Sequence, residues 1–454
     1  MKKYILLFSL VHMLFLNSCS VEDFLNEKPE STMLVPTDLH DFQLLLNHPR
    51  MNYYAVGLGL ISSDDIHYSK NALASLSPLV RNTYLWDKDM FAGEREIRDW
   101  DISYFAIFTA NNVLEGVTEL SAPQNAKNDL IGQALFKRAF AYFDLVLHFC
   151  NVYSEQNLDL PGLPLKLEAD VNIIHQRATI GEVFEVIIAD LKQSIQHLSQ
   201  QKPNEDRSRP SIQAGHGLLS RIYLYMGDYK QAYTHADSCL MIADDLLDFH
   251  TIDTVAIISN WISNPELIYD SKSANYLEII NSPTSSASVS SDLFSSYGDN
   301  DLRKAVYFYE KSDGEWGMNQ NYLGSFQYVL TGLTIGEVYL TLIEALLKTG
   351  NKQEALDKLH QFLSKRYNEP AESSKFSANE GELLNFILEE RRRELAWRNI
   401  RWMDLKRFNR DGRDLTLKRE DAGQLVELLP NSNRYIFSIP QSEIDQSNIE
   451  QNQR

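Results

Sequence analysis

The fold is decided by the stretch LYMGDYKQA at residues 224–232, which has a second copy, LKTGNKQEA, at residues 347–355. Leucine, glycine and alanine stand at the same offsets in both copies. A glycine permits the positive φ angle that closes a first helix, and a small alanine lets the second helix approach closely. Each copy therefore predicts a helical hairpin of the tetratricopeptide type. The copies lie 123 residues apart, whereas a tandem array repeats at about 34 residues, so a simple solenoid is excluded.

Helical patterns continue through the middle of the chain, where the alternation typical of strands is scarce. Apolar residues recur at spacings of three and four over residues 135–147, which predicts one apolar stripe on a core helix that opens after Gly132. Thr179 and Glu182 have the spacing of a capping box at the start of another helix. A further helix is expected over about residues 211–226.

The segment between the two hairpins, at about residues 246–332, has a different composition. Residues 271–296 hold ten serines, and 12 of the 80 residues from 251 to 330 are aromatic, or 15% against 11% overall. Polar loops that are carried by a rigid scaffold often bind ligands. We therefore expect the binding surface to lie in this insertion.

Composition and charge exclude several classes of protein. The 454 residues are 44% hydrophobic and 23% charged, which is typical of a globular protein. The net charge of −19 argues against nucleic acid or an anionic lipid surface as the main partner. Three cysteines are too few for a disulfide framework. Cys150 and Cys239 each end an apolar helical pattern, and buried free thiols are favoured over a bridge.

The first residues have the pattern of an export signal. Two lysines precede an apolar run over residues 4–16, which is too short to span a bilayer. The run ends in LNSC at residues 16–19, which resembles the lipobox of bacterial lipoproteins, so Cys19 is expected to become the lipidated first residue. Two or more acyl chains hold a protein stably on a membrane. The alternative is an ordinary cleaved signal with an incidental cysteine.

The C-terminal third contains the longest motif. It reads EERRRELAW at residues 389–397 and RWMDLKR at residues 401–407. This pair of helices around a short turn resembles the pattern of the SusD/RagB family of outer-membrane nutrient-binding lipoproteins. Further matches are FKRAFAYFD at 136–144, GLPL at 162–165, RP at 209–210, NPE at 264–266, FSIPQSEI at 437–444 and, behind Cys19, the acidic EDFL at 22–25 with Pro29.

The resemblance implies a fold, an organisation and a role. The implied fold is all-α, with tetratricopeptide-like helical hairpins forming an α/α superhelical scaffold and a loop-rich ligand-binding face. We expect a signal peptide at residues 1–18, a lipidated tether at 19–36 and a single domain at 37–454, with the scaffold at about 100–245 and 333–408. The implied role is capture of an oligosaccharide, or in some members a peptide, for a SusC-like TonB-dependent transporter in the outer membrane.

Candidate ligand contacts are aromatic residues in polar, loop-like surroundings. Sugars and peptides are commonly held by stacking on aromatic faces, while amides fix their orientation. Trp316 stands among glycines and amides and is the best candidate. The other candidates are Trp86, Trp261, Asn260, Asn319 and Tyr322, with Tyr53, Tyr54, Tyr276 and Tyr297 as weaker ones.

Patterns typical of catalysis are mostly missing from the sequence. There is no HExxH, GxSxG or Walker motif. Asp64 and Asp65 with His67 come nearest, but adjacent carboxylates in an extended segment point to opposite faces, and a cap or turn role is favoured. The arginines at 391–393 alternate with glutamates, which indicates ion pairing within the fold. We expect no cofactor and no enzymatic activity; the alternatives are a glycan-degrading lipoprotein enzyme and a helical adaptor that binds only proteins.

Overall fold

The structure is a computed structural model that describes residues 36–53, 55, 57–253, 264–273, 276, 286–319, 329–369 and 379–454. The chain divides into two compact units, Met1–Asp38 and Leu39–Arg454. Only residues 36–38 of the first unit are described, and everything below concerns the second. Several predictions fall outside the described residues, namely those on Cys19, Tyr54, Asn260, Trp261 and Tyr322.

Helices dominate the described part of the chain, as expected. Sixteen α-helices are present there: α1 Leu39–Leu46, α2 Leu58–Ser62, α3 Lys70–Ser75, α4 Pro78–Tyr84, α5 Arg98–Glu119, α6 Gln124–Phe149, α7 Ile180–His197, α8 Ile212–Met226, α9 Tyr229–Ile242, α10 Ser291–Ser295, α11 Arg303–Tyr307, α12 Ile335–Lys348, α13 Lys352–Leu363, α14 Glu380–Glu394, α15 Arg401–Arg410 and α16 Gln441–Ser447.

In the same described ranges, ten short strands accompany the helices and form five antiparallel pairs. The strands are β1 Ile66–Tyr68, β2 Pro161–Pro164, β3 Arg177–Thr179, β4 Leu267–Tyr269, β5 Ala287–Val289, β6 Phe308–Glu310, β7 Trp316–Met318, β8 Leu333–Thr334, β9 Leu417–Asp421 and β10 Gln424–Leu428. β1 pairs with β5, β2 with β3, β4 with β8, β6 with β7 and β9 with β10. Three of the pairs contain strands of the insertion, so this segment is more regular than a set of loops.

The two predicted hairpins are confirmed as α8–α9 and α12–α13. Gly227 follows α8 directly and Gly350 lies two residues beyond α12, and each has a φ of +84°. Ala232 and Ala355, at matching positions in the second helices, are buried. Helix α9 also packs against α12, so the two sequence copies are neighbours in space although 123 residues separate them. The intervening segment is thus an excursion from one continuous helical stack.

Helix α6 differs from the sequence prediction in its start and in its burial. It begins at Gln124 rather than after Gly132, and from Gly132 to Phe149 every residue is buried. The prediction of a one-sided stripe over residues 135–147 is wrong because α5 and α7 both pack on α6, and no solvent face is left between Gly132 and Phe149. Its charged residues have buried partners. Arg138 forms two hydrogen bonds of 2.8 Å to the Asp190 carboxylate of α7.

Local signals elsewhere are confirmed. Thr179 and Glu182 form the capping box of α7, and Ser211 accepts a hydrogen bond at the start of α8. Cys150 and Cys239 are free and buried. Trp397 and Trp402 belong to the core. Within the described ranges, no helix combines the length and the apolar character needed to cross a bilayer.

The motif at residues 389–407 forms α14, a turn and α15, and its charges are structural as expected. The Arg391 guanidinium lies 3.0 Å from the Asp404 carboxylate of α15. Arg407 bonds Asp404 at 2.8 Å and reaches Glu344 of α12. These pairs are buried, so the motif fixes α14, α15 and α12 to one another rather than offering an anion-binding patch.

Candidate functional site

Of the predicted ligand contacts, Trp86, Trp316 and Asn319 lie within the described residues. Trp86 is 1% exposed. Its indole Nε1 donates a hydrogen bond of 2.9 Å to the Ser62 carbonyl, and the Arg419 guanidinium lies 4.3 Å from its ring centroid. No face of this ring is left for a ligand. The expectation that Trp86 contacts ligand is therefore corrected, and its role is to pack the core.

Trp316 lies on a short hairpin of the insertion, at the first residue of β7. It pairs with Glu310 of β6, while Met318 pairs with Phe308. The turn is closed by a 2.8 Å hydrogen bond from the Lys311 amide to the Glu315 carbonyl. Side chains of directly opposed residues share one face of the ladder, so the Glu310 carboxylate flanks the indole. Glu310 is exposed and can accept hydrogen bonds from a ligand.

The Trp316 ring is stacked on Phe294, which α10 carries. The two centroids are 4.2 Å apart and the rings are tilted by only 15°. Both side chains are half-buried. Phe294 covers one face of the indole, and part of the half-buried Trp316 side chain remains exposed. We call Trp316 and Phe294 the aromatic platform. The Lys304 ammonium, 5.2 Å from the Phe294 centroid, adds a hydrogen-bond donor beside it.

Asn319 follows the platform strand directly but supports the fold. Its side chain is 7% exposed, and Nδ2 donates a 3.2 Å hydrogen bond to the Val306 carbonyl. Trp316 and Asn319 are three residues apart in the sequence, but their side chains have different roles in the structure. The expectation that Asn319 orients a ligand is corrected, because its amide group is buried against α11.

Lys311 fixes the hairpin to the neighbouring strand pair. This residue is 7% exposed, and its ammonium donates a 3.0 Å hydrogen bond to the hydroxyl of Ser288 in β5. β5 in turn pairs with β1. The platform strand is thereby held to the N-terminal part of the domain through two successive contacts.

Buried charges attach the insertion to helix α14. Arg303 of α11 lies 2.8 Å from Asp301, 2.7 Å from Glu390 and 3.2 Å from Glu394. Arg366, beyond α13, lies 2.8 Å from Glu394 and 2.6 Å from Glu266 of the insertion. We call the following residues the ion cluster: Glu266, Asp301, Arg303, Arg366, Tyr367, Glu390, Arg393 and Glu394. All except Tyr367 are buried.

The electrostatics of the ion cluster favour the charged forms of Glu390 and Glu394, whose pKa values are lowered, whereas burial raises the pKa of Glu266. Burial tends to raise the pKa of Glu390, but Arg303 and Arg393 outweigh burial and hold this pKa at about 2. The Tyr367 hydroxyl also donates a hydrogen bond of 2.5 Å to Glu390. Glu390 therefore remains charged at neutral pH, in ion pairs with Arg303 and Arg393. The ion cluster positions the insertion that carries the aromatic platform.

Three of the weaker tyrosine candidates are described, and all three contact other residues of the protein. The Tyr297 hydroxyl donates a 2.6 Å hydrogen bond to the Arg393 carbonyl, and this side chain is buried. The Tyr276 hydroxyl donates to the buried Asp99 carboxylate. The Tyr53 ring lies 5.6 Å below the Lys272 ammonium. For Tyr297, core packing replaces the expected ligand contact.

The adjacent carboxylates of Asp64 and Asp65, which came nearest to a catalytic or metal site in the sequence, both have arginine partners. Asp64 and Asp65 lie in a turn, as expected. Asp64 receives two hydrogen bonds, of 2.7 and 2.8 Å, from Arg401, and Asp65 receives one of 2.8 Å from Arg392. Burial would raise the pKa of Asp64, but Arg401 and Arg392 hold it well below its usual range. Within the described residues, no group of three or more His, Cys, Asp or Glu is placed to hold a metal ion.

The residues around Trp316 that sequence reasoning missed are Phe294, Glu310 and Lys304. Phe294 lies in a helix of five residues, which is too short to show helical periodicity. One local signal existed: Ser290 accepts a hydrogen bond from the Leu293 amide, so a serine cap stands just before the aromatic residue. The contact between Phe294 and Trp316 joins α10 to the β6–β7 hairpin, and the spacing of residues in the sequence does not predict it.

Comparison with known proteins agrees with this architecture. A family model described as "Starch-binding associating with outer membrane" matches residues 23–224, and a SusD family model matches residues 330–453. The SusD-like protein P2 of Formosa agariphila is 26% identical over 373 residues, which are 68% of this chain and 71% of that protein.

Two solved structures from Bacteroides vulgatus show the same fold. A SusD superfamily protein superposes with a TM-score of 0.74 at 21% identity, covering 92% of this chain and 99% of its own. A SusD-like carbohydrate binding protein superposes with a TM-score of 0.69 at 17% identity, covering 91% and 97%. The mostly helical fold, the helical hairpins and the two family matches at either end of the domain lead to one conclusion: this chain belongs to the SusD/RagB family.

Proposed function

We propose that this protein is a cell-surface lipoprotein that captures an oligosaccharide and delivers it to a SusC-like TonB-dependent transporter of the outer membrane. The observation that carries the proposal is the aromatic platform. Phe294 backs the half-buried Trp316 ring at 4.2 Å, which presents a rigid, partly open aromatic surface. Sugar rings stack on such surfaces through their apolar C–H faces.

Polar groups beside the platform fit a neutral glycan better than an apolar peptide. The Glu310 carboxylate accepts hydrogen bonds and the Lys304 ammonium donates them, and hydroxyl groups of a sugar supply both complements. The description of the matching family model as starch-binding, and the name of the SusD-like carbohydrate binding protein, support the same class of ligand. A peptide is the second ligand class to be screened.

Replacing the platform residue tests recognition. A screen against neutral polysaccharides and peptide digests identifies the ligand, and Trp316→Ala is then expected to weaken binding by about 1 to 3 kcal/mol because the stacking contact is lost. Titration calorimetry measures the affinity and far-UV circular dichroism the helicity. Tyr233→Ala is the matched control, since Tyr233 is a half-buried aromatic residue on helix α9 of the scaffold, outside the insertion. Equal affinities of the two variants would remove the platform from the binding site.

Delivery requires a partner, because a binder of this kind does not itself form a passage through a membrane. The segment from Cys19 to Pro29 reaches at most about 35 Å when extended, so lipidation at Cys19 would hold the domain near any neighbouring barrel. Such confinement raises the effective concentration of the domain at the barrel, and a modest interface then suffices. Cys19→Ala is expected to abolish labelling by a fatty-acid analogue and to release the protein from membranes.

The transporter itself is sought by native pull-down in mild detergent with mass spectrometry. A SusC-like barrel is expected to co-purify, and deletion of the lipoprotein to impair uptake mainly at low nutrient concentration. Recovery of the lipoprotein alone after gentle crosslinking, with unchanged uptake, would contradict delivery. Release of product from a polysaccharide panel would instead favour a surface enzyme, and the absence of binding to every glycan and peptide a protein adaptor.

A further inference from the structure

A cavity of about 610 Å³ opens where three segments meet, none of which belongs to the insertion. The segments are residues 151–157 after α6, the last turn of α15, and residues 431–435 after β10. Its volume lies within the roughly 300–1,000 Å³ of small-molecule sites. The lining is dominated by amide and hydroxyl side chains.

One wall of this cavity is fixed by side-chain hydrogen bonds. The Asn409 amide donates to the Tyr435 hydroxyl at 3.1 Å, and its carbonyl oxygen accepts from the Leu415 amide at 2.7 Å. The side-chain amide of Asn431 donates a hydrogen bond of 3.2 Å to the backbone carbonyl of Asn409. The Tyr435 ring packs on Trp402 with centroids 4.8 Å apart. These contacts hold Tyr435 and Asn431 in place before any ligand arrives.

The facing wall is the segment that follows α6. Two cationic residues of α15, Lys406 and Arg410, hold this segment by hydrogen bonds to its backbone. The Lys406 ammonium donates to the Cys150 carbonyl at 2.7 Å, and the Arg410 guanidinium donates to the Tyr153 carbonyl at 3.1 Å. Arg410 also pairs with Asp411 at 2.7 Å. Burial lowers the pKa of Lys406 to about 7. Both cations are therefore committed to the protein, and neither supplies a free positive charge for an anion.

Several polar groups of the lining, by contrast, have no hydrogen-bond partner in the described part of the chain. They are the side chains of Asn151, Ser154 and Gln156 and the Oδ1 atoms of Asn157 and Asn431. Asn157 and Asn431 each use Nδ2 internally, towards the Val152 and Asn409 carbonyls. Hydrogen bonds within the protein thus hold the walls of the cavity in place. The polar groups without a partner among the described residues remain free to bond a ligand.

These available groups specify the chemistry of an occupant. Carboxamides and hydroxyls both donate and accept hydrogen bonds, as the hydroxyls of a sugar do. Among the described lining residues Val152 alone is aliphatic, so this part of the cavity offers little to the apolar side chains of a peptide. The free groups are neutral apart from Glu155, which disfavours acidic sugars.

We propose that this cavity is a second carbohydrate site, which takes one or two rings of a neutral sugar. It shares no residue with the aromatic platform and does not depend on the function proposed for it. A half-open cavity of this volume holds the end of a chain or a free mono- or disaccharide, whereas a flat platform holds a stretch of a longer glycan. The two sites thus select by different means, the cavity by hydrogen bonds in a recess and the platform by stacking.

Saturation-transfer NMR of the full mature chain, with glucose, galactose, mannose and maltose as probes, tests the second site. Asn151→Leu and Gln156→Ala remove free groups that have no partner in the fold. Together they are expected to weaken sugar binding at least about fivefold, since each hydrogen bond contributes about 0.5–1.5 kcal/mol. Gln193→Ala on α7 is the matched control, because Gln193 is an exposed glutamine without a hydrogen-bond partner in the described residues.

A Trp316→Ala arm separates the two sites. Binding of the probes that survives Trp316→Ala and Gln193→Ala but falls in the Asn151→Leu, Gln156→Ala variant establishes the second site. Binding that falls only in Trp316→Ala, or that no variant changes, overturns it. The absence of binding of all four sugars, or binding of short neutral peptides in their place, also overturns it. Thermal unfolding of each variant verifies that the fold is retained, and a soaked crystal locates the sugar independently of the variants.

Discussion

The helical hairpins and the insertion between them are held by different forces. In α8–α9 and α12–α13 the contacts are mainly apolar, with fully buried residues such as Leu218 and Leu346, and one buried ion pair, Arg221–Glu337, crosses between them at 2.6 Å. The described parts of the insertion contain short strands and five-residue helices. They meet α14 through the ion cluster, in which Arg303 alone contacts three carboxylates.

This difference shows how the fold combines a scaffold with a ligand-bearing segment. Apolar packing is non-directional and stabilises any stack with the right periodicity. Buried ion pairs stabilise little in net terms but strongly penalise any arrangement that separates the partners. The ion cluster thus selects one position of the insertion on the scaffold. The aromatic platform inherits its position from that cluster.

Removing Arg303, the central cation of the ion cluster, should lower the free energy of unfolding more than any other change considered. Arg303→Ala leaves Asp301, Glu390 and Glu394 buried beside an empty space, and we expect a loss of about 3–5 kcal/mol in the free energy of unfolding. Chemical denaturation measures this loss. Arg95→Ala is the control, because Arg95 pairs with Asp445 on the surface, at 64% and 43% exposure, and such pairs contribute at most about 1 kcal/mol. A cost for Arg303→Ala no larger than that of the control would contradict the role of the cluster.

Acid should weaken the attachment of the insertion to α14 by protonating Glu390. The folded pKa of Glu390, about 2, is below its ordinary value of 4.5, so the folded state favours the charged form. The corresponding stability is fully present above about pH 4.5 and is lost as the pH falls towards 2. The loss amounts to about 3 kcal/mol for a shift of this size. Denaturation midpoints measured between neutral pH and roughly pH 3 show the slope.

Glu390→Gln provides the internal comparison for this experiment. The variant is less stable at neutral pH, but it has no carboxylate to protonate at this position, so its stability should fall less steeply between about pH 4.5 and 3. Equal slopes for the two proteins would mean that other carboxylates control the acid response.

What the sequence predicted correctly follows the same division. The hairpins, the capping box of α7 and the buried Trp397 and Trp402 depend on local spacing, which a single sequence displays. The start of α6 was missed because most residues from 124 to 131 are polar and only Leu130 among them is buried, so apolar periodicity does not mark this part of the helix. The burial of α6 on all sides was missed because it depends on α5 and α7.

The candidate site was predicted only in part, for a physical reason. Trp316 was singled out by its polar neighbours, and it does lie half-buried on the insertion. Trp86 has equally polar neighbours in sequence, yet Arg419, more than three hundred residues away, covers its ring at 4.3 Å. Contacts between distant segments decide which tryptophan is open. The same holds for Arg303 and Glu394, which no spacing rule connects.

The smallest predicted effect separates backbone conformation from side-chain packing within the hairpins. Gly227 and Gly350 share a φ of +84°, but a Cβ at Gly227 would lie 3.3 Å from Arg410 Nη2, whereas a Cβ at Gly350 would meet nothing within 4 Å. Gly350→Ala should therefore cost only the left-handed conformation, about 1 kcal/mol, and Gly227→Ala somewhat more because Arg410 must shift. Gly350→Asn should recover part of the loss, since asparagine tolerates this conformation better.

Gly181→Ala is the control for these variants. Gly181 lies in α7, and a Cβ added there would lie 3.5 Å from its nearest non-neighbouring atom, so this change should be neutral or stabilising. If chemical denaturation finds Gly350→Ala as harmless as Gly181→Ala, the positive φ is not required, and the hairpins are specified by their apolar faces alone.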